Sequence, residues 1–338
     1  MRVWLHVLAF VFALLAGAGC DRPVSRDAPG PAKAYRASEP TSKTQAEEFR
    51  PFAGRDSLGV EVRIDRRPER IVSLAPSHTE TLFAVGAGDR VVGITEECNY
   101  PPEVASLDRV GPYTAISAEK LVAAKPDLVL AAMGNPRAVI DQIRDLGITV
   151  YAEDPSTYND IIEWVRTLGG LTGCRQGARE VCAALESARE DVAAASAARK
   201  GPRPAVLFVV HLETENTLWL PGRGTYIDDM IRVAGGRNVA GDQNGWPAMG
   251  LEALVAAKPE VIIGTHKTGE SAATARSEFL SRLRGTAGWR SMPAVREGQV
   301  HLVDADACLR PGPRLAEIIR AFGRFIGQAS RSTEPVQP

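Results

Sequence analysis

The amino-acid sequence predicts an α/β protein of two lobes, each built on a mostly parallel sheet covered by helices, with one long helix joining them. Three observations carry this. Short apolar runs of strand length alternate with helical stretches across short loops, which is the pattern of parallel sheets with crossover helices. One eleven-residue segment occurs twice, at domain-sized spacing. Between the halves runs a helical stretch with no Gly after Gly177 and no Pro.

In the first half, Val60, Val62 and Ile64 alternate with polar residues after the turn at Gly59 and predict a short strand. Arg70-Ile71-Val72-Ser73-Leu74 reads as a buried strand that stops at Ala75-Pro76-Ser77, and a helix opens at Thr79 and ends at Gly86 or Gly88. A strand over 91–94 precedes a loop carrying Tyr100-Pro101-Pro102. A helix over 117–124, a strand over 128–131, a helix over 137–146 and a strand over 149–151 follow. The second half repeats the pattern, with a strand over 206–210, helices over 225–233 and 250–257, and strands over 261–264 and 300–303.

The repeat is Glu119-Lys120-Leu121-Val122-Ala123-Ala124-Lys125-Pro126-Asp127-Leu128-Val129, which returns as Glu252-Ala253-Leu254-Val255-Ala256-Ala257-Lys258-Pro259-Glu260-Val261-Ile262. The offset of 133 residues is too long for a solenoid and means two lobes of like construction. In the helix between them, Val181, Leu185, Ala188 and Val192 recur at helical spacing, and Lys200-Gly201-Pro202 stops the run. A helix of that length reaches roughly 36 Å. It is a stiffer link than two or three extended strands, so the lobes are expected to close only slightly on what they bind.

At 338 residues, the chain has the length of about two domains. Its 40 Lys and Arg balance 41 Asp and Glu, which argues against a nucleic-acid partner. Five Cys, none at C-x-x-C spacing, exclude a disulfide scaffold and a zinc ribbon. The exception to the globular pattern is the start. Arg2, an apolar run over 7–15 and Ala16-Gly17-Ala18-Gly19 before Cys20 read as an export signal. Residues 21–50 contain no Ile, Leu or Met and predict a flexible tether with a reach of roughly 30 Å. The expected organisation is a signal over 1–20, a tether over 21–55, a lobe over 56–174, a helix over 175–200 and a second lobe over 201–330.

These residues resemble a known family. The signal ending on Cys20 is similar to a bacterial lipobox, although Gly17 stands where Leu is usual; a plain signal peptide is the alternative. The body resembles the substrate-binding proteins with a single interdomain helix that serve cobalamin and iron–siderophore ABC importers. Arg70 to Ser77, Tyr100-Pro101-Pro102, both Leu-Val-Ala-Ala-Lys-Pro segments, Ala234-Gly235-Gly236-Arg237-Asn238-Val239 and Arg310-Pro311-Gly312-Pro313-Arg314 carry the likeness. It implies two Rossmann-like lobes, a ligand held in the cleft between them, and no catalysis. The cobalamin-binding branch is the most similar, through Trp246-Pro247 before Glu252 and Tyr113 before Glu119. Where that branch shows Tyr, Trp and Trp-Phe, this chain has Glu97, Met133 and Ala307-Cys308, which puts the ligand in doubt and leaves the fold untouched.

In α/β folds the loops after the C-terminal strand ends form the ligand crevice. Ser77, His78, Tyr100, Tyr113, Met133, His211, Trp219, Trp246, Asp306 and Arg310 fall on such loops and are the candidate ligand-binding residues. A large, flat or ring-shaped ligand needs aromatic faces and a few orienting polar groups. Tyr113, Trp219 and Trp246 would supply the faces, and Asp306 and Arg310 the polar contacts. The resemblance further implies that Glu119 and Glu252 dock on an ABC permease dimer with its ATPase subunits.

His78, His211 and His266 fall just past strand ends, where a haem, chelate or Zn²⁺ site would use them. With no i, i+4 pair and no His-rich loop, hydrogen-bonding loop histidines are the favoured reading, and no metal site is expected. Cys98 and Cys308 fall on loops of opposite lobes, as a bridge or as two thiols. No nucleophile elbow, Walker A motif or His-Glu-x-x-His occurs, and Gly86-Ala87-Gly88 and Gly222-Arg223-Gly224 lack the strand–turn–helix setting of a dinucleotide loop. The expected function is a monomeric, lipid-anchored binding protein on the outer face of the inner membrane that captures cobalamin or a related corrinoid and uses no catalytic cofactor. A ferric siderophore or haem is the alternative, and an α/β enzyme stands behind both.

Overall fold

The computed structural model describes residues 48–210 and 217–332. The expected signal, Cys20, most of the tether and His211 lie outside the described residues. The chain forms two compact units. One takes the residues through Pro155 together with Ile162–Ala183, and the other takes Ser156–Ile161 and the chain from Ala184 onward.

The first unit opens with an antiparallel pair, β1 (Phe52–Arg55) and β2 (Glu61–Ile64). This corrects the tether boundary expected at residue 55. Phe52 seats its ring edge-on against Tyr151 at 5.9 Å, and that one aromatic anchors an otherwise polar stretch. The main sheet holds β3 (Ile71–Ser73), β4 (Val91–Ile94), β5 (Leu128–Ala131) and β6 (Val150–Ala152), all parallel, in the order β4-β3-β5-β6. Its crossovers include α1 (Pro76–Ala84), α2 (Ala118–Ala123) and α3 (Arg137–Asp145). α1 begins at Pro76, three residues ahead of the expected Thr79, because proline's fixed φ suits a first helical turn and its missing N–H is not needed there. The chain leaves it through Gly86 at φ +88, a conformation that favours glycine.

Two helices follow. α4 (Tyr158–Thr172) was not expected from the sequence, whereas α5 (Arg175–Ala197) matches the expected long helix. Val181, Leu185, Ala188 and Val192 are all buried along α5, as their spacing requires. The division between the units falls inside α5, between Ala183 and Ala184, and not at its ends.

The second unit carries β7 (Ala205–Val209), β8 (Thr217–Trp219), α6 (Tyr226–Val233), β9 (Arg237–Asn238), β10 (Ala248–Gly250), α7 (Leu251–Ala256) and β11 (Val261–His266). α8 (Ala272–Gly285), α9 (Pro293–Arg296), β12 (Val300–Asp304), α10 (Ala305–Leu309) and α11 (Leu315–Ser332) complete it. Its main sheet is parallel in the order β12-β11-β7-β9, while β8 and β10 form a separate antiparallel ribbon. In both main sheets the second strand lies on one side of the first, the third on the other, and the fourth beyond the third. The sequence repeat is thus a repeat of topology.

Leu121 and Leu254 are fully buried core residues of their respective units. Lys125 and Lys258 both turn the chain at φ 48. Asp127 then accepts the backbone N–H groups of Glu69 and Arg70 at 2.8 and 3.0 Å, and Glu260 accepts that of Ala205 at 3.4 Å. Each acid ties the head of the third strand to the head of the first.

Candidate binding site

In the second unit two of the candidate residues, Trp219 and Trp246, lie on a two-stranded ribbon and its continuation. Trp219 pairs with Ala248, and the pairing continues beyond the strands through Leu220 N–H to Pro247 O at 2.9 Å and Gly222 N–H to Gly245 O at 2.7 Å. In that register Trp246 lies diagonally across from Trp219 on the same face, at a spacing of roughly 7 Å, within reach of large aromatic groups. The alternation of a strand decides which face is open. Leu218 and Leu220 turn inward to a core with Leu254, Phe279 and Trp289, while Trp219 is 42% exposed and Trp246 half-buried.

In the first unit, strand order reverses beside β3, so the loops after β3 and β5 flank a switch point. Asn135, 3% exposed, holds them. Its amide donates to the carbonyls of Leu74 and Tyr113, both at 2.9 Å, and its carbonyl accepts the Ala132 N–H at 2.8 Å. Tyr113 is only 5% exposed, packed with Ala75 and Ala132, and a side chain at Gly134 would stand 2.2 Å from its hydroxyl. The expectation that Tyr113 offers an open aromatic face is therefore corrected: its ring is core, and burial together with nearby carboxylates raises its phenol well above the usual range. Glu97, where the related branch has Tyr, accepts the Tyr113 N–H with both oxygens at 3.1 and 2.9 Å.

His78 is also corrected. It is fully buried, 4.7 Å from Trp164 in a run of rings that continues to Tyr151 and Phe52. Neither ring nitrogen makes a hydrogen bond within the described residues, and the Glu153 backbone offsets only part of the effect of burial on the ring. Burial pulls its pKa down to about 4, so it is neutral at physiological pH. Ser77 is half-buried with its carbonyl accepting the Thr81 hydroxyl, Tyr100 is half-buried, and Met133 is 45% exposed just past β5. Asp306 and Arg310 meet at 3.0 Å, with Arg310 only 7% exposed, so much of their polar capacity is turned on each other. His266 ends β11 with its Nδ1 3.1 Å from the Lys267 carbonyl.

Cys98 lies between the Thr79 and Thr95 hydroxyls at 3.2 and 3.3 Å, and Cys308 is buried in the other unit with its thiol pKa raised by burial; both are thiols. Among the described residues no three His, Cys, Asp or Glu side chains gather to hold a metal, and no helix is long and apolar enough to cross a membrane.

Two residues escaped the sequence reading. Asn135 stood in Met133-Gly134-Asn135-Pro136, a plain turn signal, and only its three hydrogen bonds show that it organises the switch point. Asp154, two residues past β6, is half-buried. Burial, with Glu153 adding like charge, pushes it up to about 7. No pattern in the sequence distinguishes it from its neighbours.

Residues 71–307 match the model of the periplasmic binding protein family. The chain belongs to that family. This periplasmic binding protein is 30% identical over 322 residues to an uncharacterized ABC transporter substrate-binding lipoprotein of Bacillus subtilis, which covers 94% of this chain and 95% of the relative. It is 27% identical over 266 residues to a vitamin B12-binding protein of Vibrio cholerae, covering 78% and 91%. Among solved structures it is similar to a periplasmic heme-binding protein of Roseiflexus sp. RS-1 in apo form, with a TM-score of 0.66, 27% identity, and coverage of 78% and 99%.

Proposed function

We propose that this periplasmic binding protein is the substrate-binding component of an ABC importer and that its cargo is a corrinoid of the cobalamin class. The observation that carries the reading is the open ribbon face with Trp219 and Trp246 on one side. Two indoles with little charge between them suit a broad, ring-shaped and largely uncharged ligand. The vitamin B12-binding relative supports the same ligand class. Haem is the weaker reading, because haem iron takes an axial His, Tyr, Cys or Met from its protein. His78 and Tyr113 in the first unit are both buried, so an axial ligand there would have to come from Met133 or Tyr100. A corrinoid brings its own axial ligands and asks for cover and orientation only.

The protein would perform no chemistry on its cargo. Cys20 would carry the lipid, the segment from Asp21 would tether the body to the outer face of the inner membrane, and the protein would act as a monomer. Glu119 and Glu252, exposed in the first turns of α2 and α7, would meet one subunit each of a twofold permease with its ATPase subunits. The deciding experiment titrates the purified protein with cyanocobalamin, hemin and a ferric hydroxamate, following tryptophan fluorescence and ligand absorbance. Cyanocobalamin should bind and quench, and the quench should shrink in Trp219→Ala. Binding of hemin alone overturns the corrinoid reading.

A further inference from the structure

We propose that Met133 is a site of reversible oxidation, and that its conversion to the sulfoxide by a hydroperoxide lowers the capture of cargo. The effect on capture rests on the binding reading above but not on the corrinoid identity. The oxidation itself rests on neither.

The backbone around Met133 holds it in water. The Asn135 N–H donates to the Ala132 carbonyl at 3.0 Å, and the Asn135 side-chain carbonyl accepts the Ala132 N–H at 2.8 Å. The chain from Ala132 to Asn135 is thus a turn closed from both ends. Ala132 and Asn135 are buried and form its inner side, which leaves Met133 and Gly134 at the tip. Gly134 has no side chain, and one there would stand 2.2 Å from the Tyr113 hydroxyl, so the space on that side is already filled. Met133 is left 45% exposed. Among the described residues Val122 and Leu146 are the other large apolar side chains of the first unit exposed to this degree, and they belong to α2 and to the end of α3. Met133 alone of the three follows a strand, at the switch point where α/β folds take their ligands.

The susceptibility of a thioether follows its exposure. Of the other described methionines, Met230 and Met292 are buried and Met249 is half-buried, all in the second unit, so an oxidant meets Met133 first. The Met133 sulfur attacks one oxygen of the hydroperoxide, the O–O bond breaks and an S–O bond forms. The proton passes to the departing oxygen, which leaves as alcohol or water. Sulfur loses two electrons and the peroxide gains them. The product is a polar, chiral group where a flexible apolar chain stood. The closed turn keeps that group at the strand-end edge, and covering it with cargo that offers no donor weakens binding. Methionine sulfoxide reductases reverse the step, which makes the loop a switch.

The test treats the purified protein with hydrogen peroxide, maps sulfoxide by peptide mass, and titrates cyanocobalamin, hemin and a ferric hydroxamate before and after. Met133 should gain oxygen about tenfold faster than Met230, Met249 or Met292, and bound cyanocobalamin should slow that gain. Affinity should fall about fivefold or more and return after treatment with reductases for both sulfoxide epimers. Met133→Leu should keep after peroxide whatever affinity it has before, while Met249→Leu should lose affinity on peroxide as wild type does.

Oxidation of the other three methionines as fast as Met133 overturns the site, whatever the protein binds. A Met133 sulfoxide with affinities unchanged, or the same peroxide loss in Met133→Leu, overturns the effect on capture and leaves the corrinoid reading standing. Binding of hemin or the ferric hydroxamate alone, weakened on oxidation of Met133, overturns the corrinoid identity and upholds the switch.

Discussion

Replacing Trp219 by alanine should weaken binding by roughly 8- to 70-fold without unfolding the protein. With 42% of the residue exposed, and a tryptophan surface of about 250 Å², about 100 Å² stands open in the unliganded chain. Covering all of it at about 25 cal/mol per Å² stabilises the complex by about 2.5 kcal/mol, the upper end of the range. A ligand that stacks on one face covers about half, which gives the lower end. Because Trp246 lies diagonally on the same face, a ligand that bridges both rings should make the two losses non-additive. Calorimetric titration of Trp219→Ala, Trp246→Ala and the double variant measures this, with urea unfolding beside it. Trp219 should unfold within about 0.5 kcal/mol of wild type, as an exposed residue does. Affinities within twofold of wild type in all three would refute the ribbon face as the site.

Tyr113→Ala should destabilise the first unit by about 3–5 kcal/mol, as truncation of a buried aromatic does, whereas Tyr113→Phe should bind ligand as wild type; urea unfolding and one titration separate the two roles. His78 is neutral in the fold with its pKa at about 4 but takes a proton near 6.5 when unfolded, so its contribution is complete above about pH 6.5 and is lost as pH falls toward 4. That loss amounts to about 3 kcal/mol at most, and the difference between His78→Gln and wild-type urea midpoints at pH 7 and 4.5 reads it; an identical fall in both proteins contradicts a buried neutral His78. The double change Glu119→Ala with Glu252→Ala should leave ligand affinity intact and abolish uptake, losing about 2–5 kcal/mol of docking energy, and wild-type uptake refutes the docking role. Cys20→Ser should move the protein from the membrane fraction to the soluble one, and persistent membrane association counts against a lipid on Cys20.

The parallel sheets were legible because their strands are buried on both faces and announce themselves as apolar runs: Leu128-Val129-Leu130-Ala131 was placed to the residue. The start of the fold was not legible, since β1 alternates half-buried and exposed residues and depends on Phe52 meeting Tyr151 and Gly170 across about a hundred residues. α4 was hidden by Gly169-Gly170, which weaken helix propensity but let neighbouring chains approach: a side chain at Gly169 would stand 2.4 Å from Ala178. At the site, loop position after a strand does not say which way a side chain turns. Trp219 could be placed because its neighbours Leu218 and Leu220 fix the alternation. Tyr113 sits on a loop and His78 in the first turn of α1, neither with such a frame, and both turn inward.

The repeat shows how far such reasoning carries. Once the fold is known, several of its paired residues have a structural duty in both units. Leu121 and Leu254 fill the cores, Lys125 and Lys258 make the left-handed turn ahead of Pro126 and Pro259, and Asp127 and Glu260 tie the strands. Glu119 and Glu252 are different. Both are exposed, and among the described residues neither carboxylate has a hydrogen-bond or ion-pair partner. A glutamate in a first helical turn gains about 0.3–1 kcal/mol from the helix dipole, a benefit that Asp would give equally. The helix starts differ otherwise, Ser117 capping one with its hydroxyl and Gly250 preceding the other without a side-chain cap. Two copies that diverged in cap and in the residue after the Glu, yet present the same free carboxylate, are what a partner with two like subunits would require.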